Sequence, residues 1–317
     1  IWTVPDHAGI WARSGRIQPL DSLVDMSRYV ESVVLDNKTW AMPITAGNHL
    51  ALLYNKTYVS TAPADTTEMI ALARGLMDEG RVQYGLVYNQ LEPFWLVPWL
   101  GAYGGSVFES DSKTPSLDTD AMRSALRFLA DLKGKHGIVP ETSDYAQADA
   151  LFKDGKAAML INGDWAFSDY SAALGNKLGI ARIPMLAETG TYPTPYTSGK
   201  YFMVASGVAG AKLEAVLSFI ETATSYQNQV DLLVQYKRLP GLKAALSDPA
   251  IASDPVLMGS SVQMAVGVPM PAVPEMRFIW DAIKPHMAEV LSGAVTPDAA
   301  TAAMQAAAVA AIAGAQN

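Results

Sequence analysis

Apolar positions along this chain follow two periods. Met122, Ala125, Leu126, Leu129 and Leu132 recur every three or four residues, which predicts a helix with one buried face. Asp118 or Thr119 would cap its start, and Gly134 and Gly137 mark its exit. Asp65-Thr66-Thr67-Glu68 resembles a capping box and predicts a helix that runs to about Glu79 and ends at Gly80. Two more helices are expected over 213–224 and 227–236, with a Pro/Gly-rich stretch at 238–241 after them. A long helix begins near Glu275 and passes Trp280 and His286, and Pro285 inside it is expected to kink it. Short apolar runs bounded by turn residues predict strands at 1–4, 83–88, 157–161, 178–183 and 201–205.

The stretch 152–167 carries the most information. Phe152 ends a short helix, Gly155 turns the chain, and Ala157 to Ile161 form a buried strand. Gly163 turns it again and delivers Trp165 to the carboxyl end of that strand. Ligands of open α/β sheets sit at such strand ends, and a flat aromatic there suits the apolar face of a sugar ring. Strands alternating with helices imply α/β layers. No GxGxxG opens a helix and no GxxxxGK[ST] occurs, so nucleotide chemistry lacks its phosphate loop.

Composition narrows the picture by exclusion. The 317 residues carry a net charge of −8 with no basic run, which argues against a nucleic-acid partner. There is no cysteine, so disulfides, thiolate metal sites and thiol nucleophiles are excluded. His7, His49, His136 and His286 form no metal-ligand spacing, and neither a metal nor a cofactor is expected. Thr296, Pro297 and Asp298 open an alanine-rich run to Ala315. It reads as a surface helix packed closely on its neighbour, too weakly apolar and too short for a membrane span.

Five motifs in order resemble the sugar-binding extracellular solute-binding proteins of ABC importers, the family that includes maltose/maltodextrin-binding protein. They are the run from Gly9 to Leu20, Trp40 to Ile44 followed by Leu50 to Lys56, Asn89 to Phe94, the stretch around Trp165, and Met270 to Met276 followed by Trp280. Each alone is weak, and their shared order and spacing make the signal. The resemblance implies a two-lobed periplasmic-binding-protein-like α/β fold. Each lobe would be a mainly parallel sheet flanked by helices, with the ligand cleft between lobes. It implies one lobe from 1–46 with 202–247 and another from 49–196 with 249–317. Hinges would lie near 45–49, 196–201 and 248–249, the first two as polar, glycine-containing connections. It also implies two strand–helix units ahead of Ile1, so the chain reads as a fragment of an exported protein. A partner chain, a fusion or further sequence could complete the first lobe. The expected location is periplasmic or extracellular and lipid-anchored, with membrane permease subunits as partners.

A sugar needs aromatic faces for its C–H patches and donors and acceptors for its hydroxyls. Trp165, Trp280 and Phe94 are the stacking candidates, and Met270 lines the site beside Trp280. Asp6 and Glu92 are the acceptors, because a carboxylate can serve two adjacent hydroxyls. His7 stands where the resemblance expects an arginine, and Asn48 where several relatives have an acid. Tyr201 is a further candidate. Trp95 and Trp99 read as core, Trp11 and Trp40 as structural, and Asp164 as a cap of the helix that carries Trp165. The favoured function is binding of a neutral, maltodextrin-like glycan for import. The alternatives are another sugar, a polyol or a glycerol phosphodiester. A glycoside-processing enzyme using Asp6 and Glu92 is a second class, but no acid/base pair at a fixed spacing supports it. A sensor or split-protein part built on a binding protein is a third reading of the abrupt start.

Overall fold

The computed structural model describes residues 1–30 and 32–315, apart from the side chains of Trp2 and Asp6. The strands are β1 (Trp2–Thr3), β2 (Ile17–Gln18), β3 (Val33–Leu35), β4 (Lys38–Gly47), β5 (Leu50–Asn55), β6 (Tyr84–Tyr88), β7 (Ala157–Gly163), β8 (Leu178–Ala181), β9 (Tyr196–Phe202), β10 (Val204–Ala205) and β11 (Val268–Pro269). Two sheets organise two lobes. One has the order β1-β9-β4-β3, with β11 on β9, and the other has the order β6-β7-β5-β8. A small β10-β2 ribbon lies beside the first.

Strand residues divide the cores by parity, as a two-residue period demands. In β5, Leu50 and Leu52 join Met69, Leu86, Trp99, Leu126 and Ile279 on one face. Ala51 and Leu53 join Phe152, Leu160, Phe167 and Tyr170 on the other. A sheet covered on both faces needs the unbroken apolar runs that this sequence has. In the first lobe, Met42 packs with Leu20, Tyr29 and Ile220, while Ala41 packs with Ala8, Ile17 and Met203.

The helices follow their caps. Asp65 accepts the Glu68 N–H at 2.9 Å and starts the helix Thr66–Asp78. Thr119 starts Asp120–Gly134, whose buried face is Met122, Ala125, Leu126, Leu129 and Leu132. Asp144 and Gln147 form a full capping box ahead of Tyr145–Lys153. The helix Met276–Leu291 continues through Pro285. Pro297–Ala315 is long and apolar enough to cross a membrane by length and composition alone, beyond the sequence expectation. It nonetheless buries Ala300, Thr301, Met304 and Ala308 in packing against Met276–Leu291 and Asp120–Gly134.

Three expectations are corrected. The sheets are not mainly parallel: among the described pairings between strands, β6 with β7 and β11 with β9 are parallel and the rest antiparallel. β5 enters its sheet straight from the other lobe and so runs against β7, whereas β6 reaches β7 through crossover helices and runs with it. The segments 45–47 and 196–200 are strand rather than loop, because each supplies the other's ladder partners: Thr45 faces Lys200, Ala46 faces Gly199 and Gly47 faces Ser198. The opening run 1–4 is a two-residue edge strand with Ile1 exposed, not a buried strand.

Candidate functional site

The turn after β7 builds the centre. Gly163 lies directly beneath the Trp165 ring: a Cβ there would fall 2.2 Å from Cζ3 and Cη2. One indole face thus rests on bare backbone, and the half-buried side chain keeps its other face free of that contact. The Trp165 Nε1–H donates to the Tyr145 hydroxyl at 3.1 Å, which fixes the ring in its plane. Tyr145 opens the helix that the Asp144–Gln147 box caps, so a local capping signal sets where this hydroxyl stands.

Around Trp165 the aromatics form a cluster without face-to-face stacking. Phe94 lies 6.1 Å from Trp165 at 54° and 6.4 Å from Trp280 at 58°. Tyr196 meets Trp280 edge-on at 6.1 Å. Edge and tilted contacts use the rims of the rings and leave faces uncovered by one another. Trp95 closes the back of the cluster, buried, edge-on to Trp165, with its Nε1–H donating to the Ile161 carbonyl at 2.8 Å. Burial pushes the Tyr196 phenol pKa up and keeps it protonated.

Glu92 precedes Pro93 and Phe94 and pairs with Lys284, one turn beyond Trp280 on the same helix; both charges are half-exposed. Met270 packs against the same core, and its N–H donates to the Thr197 carbonyl at 2.9 Å. It also lines a cavity of about 290 Å³ with Pro5, Thr197, Ser198, Tyr201 and Pro269. Tyr201 itself is buried in the first-lobe core with Ala8, Ile17 and Met203, and this cavity reaches it.

The sequence candidates therefore fall into groups. Phe94, Trp165 and Trp280 come together with Glu92 and Met270 at their rim. Asn48 sits at the turn between β4 and β5, where its N–H donates to Asp164 at 3.2 Å, one residue from Trp165. His7 lies apart, exposed on the helix Pro5–Arg13, with Nδ1 hydrogen-bonded to the Thr3 hydroxyl at 2.8 Å and its ring 5.5 Å from Trp11. The Asp6 side chain lies outside the described ones. Asp164 makes no cap: its carboxylate turns to the hinge, because the Asn48 N–H and Arg238 lie there. Tyr145 and Tyr196 escaped sequence reasoning. Nothing in the local pattern marks Tyr196, whereas the capping box beside Tyr145 was a usable signal. Among the described residues no group of His, Cys, Asp and Glu is arranged to hold a metal ion.

Two α/β lobes joined by paired strands, with an aromatic cluster built around Trp165 at the carboxyl end of β7, define a two-lobed ligand-binding fold of the periplasmic-binding-protein class. Residues 1–259 match the model of the bacterial extracellular solute-binding protein family, and the chain belongs to that family. It is 25% identical over 303 residues to the maltotriose-binding protein of Pyrococcus abyssi, covering 92% of this chain and 65% of that protein. It is 24% identical to the galactooligosaccharide-binding protein of Bacillus subtilis, covering 94% of this chain and 73% of the relative. Among solved structures, the maltose/maltodextrin-binding domain from Bdellovibrio bacteriovorus bound to maltotriose superposes with a TM-score of 0.89 at 35% identity, over 98% of this chain and 84% of that one. The Thermus thermophilus maltotriose-binding protein bound with maltotriose gives 0.86 at 27% identity, over 98% and 84%.

Proposed function

We propose that this protein binds a neutral, maltodextrin-like oligosaccharide in the cleft between its lobes and hands it to the permease subunits of an ABC importer, as a binding protein rather than an enzyme. The observation that carries this reading is the cluster of Phe94, Trp165 and Trp280, half-buried and unstacked, with Glu92 at its rim. Aromatic faces take the C–H patches of a glucan, and carboxylate and amide groups take its hydroxyls. Glu92, Met270 and Asn48 are assigned as ligand contacts around that platform. Asp6, His7 and Tyr201 are assigned to the opposing wall.

The lobes are assigned as 1–46 with 202–247 and as 49–196 with 249–317, crossing near 45–49, 196–201 and 248–249. Separate apolar cores on either side of the β4–β9 pair support this division. The protein acts outside the cytoplasmic membrane, in the periplasm or on a lipid anchor, in keeping with a family described as extracellular and a pneumococcal relative described as a lipoprotein.

Thermal-shift and calorimetric titration with maltose, maltotriose, a galactooligosaccharide, trehalose, sucrose, lactose and glycerol-3-phosphate tests the reading. Maltotriose is expected to bind saturably and to raise apparent stability by ~2.7 kcal/mol at a hundredfold excess over Kd. Product analysis of the same mixtures should find no released glucose. Binding of glycerol-3-phosphate alone, or glucose release, would overturn the proposal.

A further inference from the structure

A buried charge sits where the two lobes meet, and recognition of a glycan leaves it unexplained. Asp164 is fully buried, yet it lies one residue from the half-buried Trp165. Its backbone N–H donates to the His49 carbonyl at 3.0 Å. One carboxylate oxygen accepts the Asn48 N–H at 3.2 Å, and the other faces the Arg238 guanidinium at 3.4 Å. Arg238 is itself largely buried, with its side chain 11% exposed. It rides on the first lobe, where Leu239 accepts the Ala46 N–H and Pro240 bridges to Thr45. Asp164 belongs to the other lobe, at the end of β7.

The backbone is shaped around this carboxylate. Gly47 has φ +112°, and a Cβ there would fall 2.3 Å from Asp164 Oδ2. Asn48 follows with φ +47°, a left-handed conformation that asparagine tolerates better than most residues. The chain therefore adopts two uncommon backbone positions in succession, directly over one buried acid. A charge buried this deeply persists only when it is paired and hydrogen-bonded; one of its partners, Asn48, lies in the hinge turn and the other, Arg238, comes from across it.

We infer that Asp164 is a positioning residue: its buried carboxylate clasps the hinge turn and Arg238 together, and so couples the angle between the lobes to the setting of the Trp165 platform. This rests on the proposed glycan-binding reading for its ligand readout and on the fold alone for its distance readout. Opening the lobes would move Arg238 relative to β7 and strain the hinge turn at Asn48. The carboxylate that follows them lies in the same single turn, 164–166, that carries the Trp165 backbone. No other described carboxylate lies within hydrogen-bonding reach of both the hinge backbone and an arginine of the other lobe.

Asp164→Asn keeps the shape and removes the charge, and Arg238→Met removes the partner. The chain lacks cysteine, so pairs introduced at the exposed Lys135 and Lys212, one on each lobe, can be labelled specifically for interlobe energy transfer. In ligand-free protein both variants should broaden and shift the interlobe distance distribution, and the double variant should shift it no further than either single one. For maltotriose, Asp164→Asn should raise Kd about tenfold in the parent. It should raise Kd less than threefold in a Trp165→Ala background, because the carboxylate acts through that ring. Unchanged distance distributions in both variants would overturn the inference whether or not maltotriose binds. So would equal Kd losses with and without Trp165, which would make Asp164 merely structural. Failure of the parent to bind any glycan would overturn the functional reading and leave the distance test of the clasp standing on its own result.

Discussion

At the residue scale, the tryptophans separate by environment. Trp165 and Trp280 are half-buried at the aromatic cluster, whereas Trp99 is 1% exposed and packs 4.6 Å from the Phe128 ring. Trp165→Ala and Trp280→Ala are each expected to weaken glycan binding by ~1–3 kcal/mol, the scale of one aromatic contact and its buried area, with unchanged helix content. Trp99→Ala is expected to cost ~3–5 kcal/mol of stability and to leave Kd nearly intact. Calorimetry and denaturant titration on the three variants check this, and tight binding by Trp165→Ala with a much lower melting point would make it a core residue. His49 gives a second test. Burial lowers its pKa; the neighbouring Asp164 opposes the shift and Arg238 adds to it. The folded state thus holds His49 neutral while the unfolded chain takes up a proton below about pH 6.5. The unfolded state binds more protons there, so stability falls as pH drops through that range, by at most ~1.4 kcal/mol per pH unit for one site. His49→Gln keeps a partner for Ser260 and should flatten the difference in unfolding free energy between pH 7.5 and pH 5 relative to the parent.

At the element scale, the sequence announced what local chemistry controls. The helix Thr66–Asp78 begins and ends where Asp65 and Gly80 say it should, and the five apolar residues of Asp120–Gly134 are all buried. The strand leading to Trp165 and the order of the aromatic motifs were equally legible, since each is carried within one short segment. Partners brought from far along the chain were not legible. The segments 45–47 and 196–200 look like polar loops until the fold brings together Thr45 and Lys200, 155 positions apart. Asp164 looks like a cap because its real partners, Asn48 and Arg238, lie 116 and 74 residues away. Caps also carry the testable energy at this scale. Asp144→Ala removes the side chain that holds the Gln147 N–H at 2.8 Å and should cost ~1 kcal/mol in denaturant unfolding. Because Tyr145 follows the cap, the same variant should also loosen Trp165, which indole fluorescence anisotropy would report.

At the scale of the whole molecule, the β4–β9 pair runs between two cores, with a third crossing proposed near 248–249. Met42 and Phe202 face each other in the first-lobe sheet, and at the far end of the pair Tyr196 enters the second core beside Trp280. Arg13 on Pro5–Arg13 also donates to the buried Glu275 at 2.9 Å, at the start of the helix that carries Trp280. A two-stranded ladder is a particular kind of joint. It bends and twists readily across its face, but sliding one strand along the other would break every rung at once. Lobe motion should therefore leave the backbone bonds between 42–47 and 198–202 intact. Amide hydrogen exchange at those residues of 42–47 and 198–202 whose N–H faces the partner strand should be slow and nearly indifferent to glycan, while exchange at the cleft rim slows on binding. Rapid exchange along the pair in ligand-free protein would mean that the joint melts to open. The two strands would then be a fuse, broken and remade at each turn of transport, and not a leaf spring that outlasts it.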